Sequence, residues 1–147
     1  MRDVQDGCRD PQGRVSVDRR DAVAYDDADC VRLQLPVDPQ YMRVVRLVAS
    51  GLGATIGFDV EAVDDFRIAV DELCAAMVEV SDGPNLDLSF EVREDGIEVE
   101  GRTPTTPTAQ LSPDRFALSE QILGVACDRY SLNIDGGTAQ FTLYKRV

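Results

Sequence analysis

The chain has 147 residues, 44% of them hydrophobic, with 27 acidic against 15 basic side chains and a formal charge of −12. That length fits one domain with a sizeable core. The charge works against direct contact with nucleic-acid phosphates or an anionic membrane and suits a basic partner, although it also reads as a solubility charge alone.

No apolar run approaches the roughly 20 residues that span a bilayer, and the start lacks the apolar segment of a secretory signal, so a cytoplasmic protein without a membrane role is expected. Cys8, Cys30, Cys74 and Cys127 are scattered without a Cys-x-x-Cys, and there is no histidine. This removes the usual zinc sites and every His-dependent nucleophile. Reduced, mostly buried thiols are expected, and only an Asp/Glu metal site stays open on composition.

Residues 1–29 are rich in Arg and Asp, poor in apolar residues and without a period, so they cannot offset their ordering entropy. They are expected to form a disordered tail, leaving 30–147 as the domain. Val31, Leu33 and Leu35 then alternate with Arg32 and Gln34, the period of a half-buried strand. Asp38 is a suitable N-cap with Pro39 at the first helical position, and Tyr41, Val44, Val45, Val48 and Leu52 follow at helical spacing. Gly51, Gly53 and Gly57 mark the expected frayed end of this helix and do not make a dinucleotide fingerprint.

Asp59 should cap a second helix whose core stripe is Phe66, Val70, Leu73, Met77 and Val80. After "SDGPN", Leu86, Leu88, Phe90 and Val92 alternate, and "EDG" turns the chain into a strand carrying Ile97 and Val99. Residues 102–111, with two prolines and four threonines, read as an extended loop. Ser112 and Pro113 open a third helix, apolar at Leu118, Ile122, Val125 and Ala126, and "DGG" joins two last strands. The order β-α-α-β-β-α-β-β predicts an α+β fold: a two-layer sandwich, its antiparallel-rich sheet covered on one side by helices.

One residue of the second helix does not fit a simple core stripe. Glu72 lies on its flank, one turn before Ala76. It reads either as a solvated flank residue or as part of a site. The stretch "FRIAVDELCAAMVE", following the first strand-helix unit, resembles the anti-sigma factor kinases of the RsbW type, within the histidine kinase and Hsp90-like ATPase superfamily. The resemblance covers residues 31–147, is strongest in "AVDELCAA", and extends to "ILGVACDRY", where Asp128 matches an Asp that ends the family's last helix.

The resemblance implies that Glu72 stands at the family's general-base position, accepting or orienting the proton of a substrate serine. It also implies an ATP and Mg²⁺ site, from which this chain departs. The family's Mg²⁺-ligating Asn is Ala76, which offers no oxygen. The Asp-x-Gly-x-Gly that would hold adenine is replaced by "EGRTPTT", leaving Glu100 as a displaced candidate. The Gly-x-Gly that lets backbone approach the phosphates falls on Ala117-Leu118-Ser119, beside Arg115, which could contact a phosphate or be a plain surface residue.

The resemblance therefore implies an anti-sigma factor that sequesters an RNA polymerase sigma factor, forms a homodimer and answers to an anti-anti-sigma (STAS) protein. Its nucleotide site would be degenerate, with ATP and Mg²⁺ bound weakly if at all. The alternative is an active ATP-dependent serine kinase acting on that anti-anti-sigma protein. A small interaction domain outside sigma control is a third possibility.

Overall fold

A computed structural model describes residues 29–147. The expectation of a disordered tail over residues 1–29 lies, Asp29 apart, outside the described residues, as does Cys8. In chain order the elements are β1 (Cys30–Pro36), a 3-10 turn (Pro39–Tyr41), α1 (Met42–Thr55), α2 (Val60–Val80), β2 (Asn85–Arg93), β3 (Gly96–Pro104), α3 (Pro113–Ala126), β4 (Arg129–Asp135) and β5 (Thr138–Arg146). The five strands form one antiparallel sheet in the order β1-β2-β3-β5-β4. The expected α+β sandwich is present, with β1 and β4 at the sheet edges.

Local chemistry sets the element boundaries. Asp38 Oδ1 accepts from the Gln40 amide, so the predicted cap opens the 3-10 turn that leads into α1. Gly51 and Gly53 lie inside α1 rather than at a frayed end. Gly53 is buried, and a Cβ there would come within 3.1 Å of the Phe58 ring. The chain leaves the helix at Gly57, whose φ of 94° costs glycine no steric penalty. Asp59 Oδ1 then accepts from the Ala62 amide and starts α2.

The α2 stripe is core as predicted: Phe66, Val70, Leu73, Met77 and Val80 are all buried, and Phe58 meets Phe66 edge to face. Burial of each such large side chain contributes about 1.5–3 kcal/mol. The α1 stripe is as expected at Val45, which is buried, and at Val48 and Leu52, which pack on the core, but not at its start. Met42, Val45, Ala49 and Gly53 face inward, while Tyr41 and Val44 are exposed. The 3-10 turn winds more tightly than an α-helix, so a register counted from Pro39 drifts.

The sheet also departs from expectation at one point. Residues 102–104 belong to β3 and pair with Gln140, Ala139 and Thr138 of β5. Pro104 is tolerated because it is the last residue of the strand. Just before it, Gly101 is flush under Phe141: a Cβ there would lie 2.2 Å from the ring. The "DGG" turn has Gly136 at φ 59° and Gly137 at φ 86°, two successive positive values that suit a tight hairpin.

Candidate functional site

The site is built where α3 packs on α2. Glu72 projects from the flank of α2 and Ala76 follows one turn later, buried. α3 begins at Ser112, whose hydroxyl accepts from the Arg115 amide, and this cap fixes the first turn so that Arg115 and Ser119 share one face.

The two helices are joined by a polar network. Arg115 Nη1 donates to Glu72 Oε1 in an ion pair and also to Ser119 Oγ at 3.1 Å. The Ser119 hydroxyl donates in turn to Glu72 Oε1 at 2.7 Å. On its other edge the guanidinium donates through Nε to Glu79 Oε2 at 3.2 Å. Side-chain exposure is 22% for Arg115, 13% for Glu72 and 48% for Glu79, so the Glu72 arm is the sheltered one. Burial disfavours the charge on Arg115, but hydrogen bonds and attraction from Glu72 and Glu79 outweigh it and raise its pKa.

This arrangement brings together three of the residues singled out in the sequence and separates the others. Glu72, Arg115 and Ser119 meet directly, and Ala76 is buried one turn after Glu72 on α2. Ala117 points to solvent. Glu100 lies on the opposite face of the sheet, in an open depression of about 510 Å³ with Arg32, Asp87, Ser89, Arg102 and Gln140. That depression does not include Glu72, and its side chains pair with their neighbours: Gln34 with Asp87, and Arg102 with Gln140. We read it as a solvated sheet face.

Glu79 escaped the sequence reading although it stands seven residues after Glu72, two helical turns along the same flank. The expected α3 stripe holds at Ala126 but not at Leu118 or Val125. Ser119, Leu123 and Ala126 turn inward, whereas Leu118 is 51% and Val125 82% exposed. The inward hydroxyl of Ser119, satisfied by Glu72, occupies the position that an apolar count assigns to a neighbour. Asp128 ends the helix region structurally: its carboxylate accepts from the Arg146 amide at 2.8 Å.

Chemically, the Glu72 carboxylate already accepts from a guanidinium and a hydroxyl, and neither donor is a substrate. Among the described residues no three thiols or carboxylates are grouped so as to hold a metal ion. Cys30, Cys74 and Cys127 are free thiols, and no described helix is long and apolar enough to cross a membrane.

No family model matches the chain. It is 32% identical over 77 residues to a protein of Bacillus subtilis (strain 168) named serine-protein kinase RsbW, a match covering 50% of this chain and 48% of that protein. Proteins of the same name from Listeria monocytogenes serotype 4b (strain CLIP80459), 35% identical over 75 residues, and Halalkalibacterium halodurans, 30% identical over 73, each match across 48% of this chain. They are covered over 48% and 45% of their own lengths. The chain thus spans about half the length of the curated relatives it matches, and over that half it is similar to serine-protein kinases named RsbW.

Proposed function

We propose that the protein is an RsbW-like regulator that acts in the cytoplasm by binding and sequestering an RNA polymerase sigma factor, without need of nucleotide. It would be displaced by an anti-anti-sigma protein. The similarity to RsbW kinases supplies the class of regulator. The observation that carries the nucleotide-independent part is Arg115, whose guanidinium engages Glu72 and Glu79 where a nucleotide and its metal would be handled. Ala76 adds no oxygen ligand beside Glu72, so the residues present suit a closed polar contact better than a Mg-nucleotide. Several missing contacts at roughly 1–3 kcal/mol each would weaken a micromolar site by orders of magnitude. Calorimetry with Mg-ATP tests this: negligible heat is expected, and a low-micromolar dissociation constant would overturn the reading.

Such a value would favour the kinase reading, which the names of the relatives support. Glu72 would then be the proton acceptor, and Glu72→Gln should lower serine phosphorylation by about 10² or more. For assembly we propose a homodimer through the β1 and α1 edge. Leu33 is half-buried on this edge strand, Tyr41 and Val44 are exposed, and Leu47 is 72% exposed, although Leu35 is already covered by the protein's own core. A monomer in light scattering at tens of micromolar would contradict the dimer.

A further inference from the structure

The two halves of α3 are held by different kinds of contact. In the second half Leu123 and Ala126 are buried in the core, Lys145 Nζ donates to the Ala126 carbonyl, and the Asp128 amide donates to the Tyr144 carbonyl just beyond. In the first half no residue of 113–118 is buried. Phe116 and Leu118 stand half out of the surface, and the inward positions are Arg115 and Ser119. The segment before it, residues 106–112, contributes only the half-buried Ala109 and Leu111. The start of α3 therefore reaches α2 through the polar Arg115, Glu72, Glu79 and Ser119 network, with no buried residue of 113–118 to reinforce it.

We infer that Arg115 is a latch: α3 is anchored at its C-terminal half, and its first two turns open away from α2 when the Arg115 contacts break, uncovering Glu72 and Ala76. The inference rests on reading the α2 and α3 junction as the regulated site. Opening would be a local event well below the cost of global unfolding, because only half-exposed apolar groups leave the surface. The closed state keeps Glu72 paired. The open state gives the carboxylate to solvent or to a partner, so the latch is an autoinhibitory contact whose balance a partner shifts by binding either form better.

Hydrogen exchange on the full chain tests this in the wild type, Arg115→Gln and Arg115→Lys, with Leu123→Ala as a control that loosens the anchored half instead. In the wild type the amides of Phe116, Ala117, Leu118 and Ser119 should exchange well ahead of those of residues 123–126 and of the sheet, and in Arg115→Gln they should exchange about tenfold faster still. Arg115→Lys, keeping the charge without the fork, should fall between. Unchanged exchange over residues 116–119 in Arg115→Gln would overturn the latch, and so would wild-type exchange there as slow as in residues 123–126 and the sheet, which would make Arg115 an ordinary stabilising residue. The measurement involves neither sigma factor nor nucleotide, so its failure is distinguishable from failure of the sequestration reading.

Discussion

The Arg115 to Glu72 pair lends itself to a quantitative test by a double-mutant cycle with Arg115→Gln and Glu72→Gln. A fully buried pair loses about 3–5 kcal/mol when one partner is removed, whereas exposed pairs are worth about 0–1 kcal/mol. With the two side chains 22% and 13% exposed, solvent screens part of the attraction, and an intermediate value is expected. Arg115→Gln should cost about 1–3 kcal/mol, because it leaves Glu72 sheltered with only the Ser119 hydroxyl as donor. Glu72→Gln in the same background should recover part of that loss, giving a coupling of about 1–2 kcal/mol. The second cycle, Arg115→Gln with Glu79→Gln, tests the exposed arm and should couple by less than about 0.5 kcal/mol. Urea unfolding reads both: at a slope of about 1–3 kcal/mol per molar, the first coupling moves the midpoint by roughly 1 M. Coupling to Glu72 below about 0.3 kcal/mol, or greater coupling to Glu79, would refute the reasoning from burial.

Two further outcomes follow from the packing. Gly101→Ala places a methyl within 2.2 Å of the fully buried Phe141 ring, so it should destabilise by about 2–3 kcal/mol and lower Tm by roughly 10 °C or more, read by calorimetry; a shift under about 2 °C would mean the ring moves freely. Burial pushes the Cys127 thiol up to about 11, with Lys145 opposing and Asp128 assisting, and burial pushes Cys74 higher still. Thiolate is the reactive form and becomes scarcer as pH falls below the pKa. In a Cys8→Ser background at pH 8, Cys127 should therefore label about a hundredfold more slowly than an unperturbed thiol of pKa about 8.5, and Cys74 should label only on unfolding; rapid labelling of Cys74 in folded protein would contradict its burial.

The parts of the fold legible in the sequence were those written in local chemistry. Asp38, Asp59 and Ser112 each cap the helical segment they were expected to start, and the α2 stripe is buried throughout. The misreadings came from tertiary context. Missing the 3-10 turn put Tyr41 and Val44 on the buried face of α1, whereas Val45, Val48 and Leu52 do face the core. The prolines of "RTPTTPTAQL" argued for a loop from residue 102, yet the hydrogen bonds offered by β5 carry β3 to Pro104. In α3 a buried serine displaced the apolar stripe because its hydroxyl is satisfied from another helix, which no single-helix pattern can reveal. The site divides in the same way. Glu72 stood out as a carboxylate beside an apolar stripe, but its partners come from residues 43 and 47 positions away. Glu100 was a displaced candidate for the family's adenine-holding Asp, and strand alternation sends it to the other face of the sheet.

The central claim is that this domain works through its surface and not through bound nucleotide. The most direct measurement is a pairwise binding screen of the purified protein against each sigma factor and anti-anti-sigma domain of its own organism, with and without Mg-ATP. The account predicts binding to at least one sigma factor with the same dissociation constant in both conditions, and an on-rate that falls with salt and on mutation of rim acids such as Asp64 and Asp65. Binding that strictly requires Mg-ATP, or no binding to any sigma factor or anti-anti-sigma domain, would contradict it.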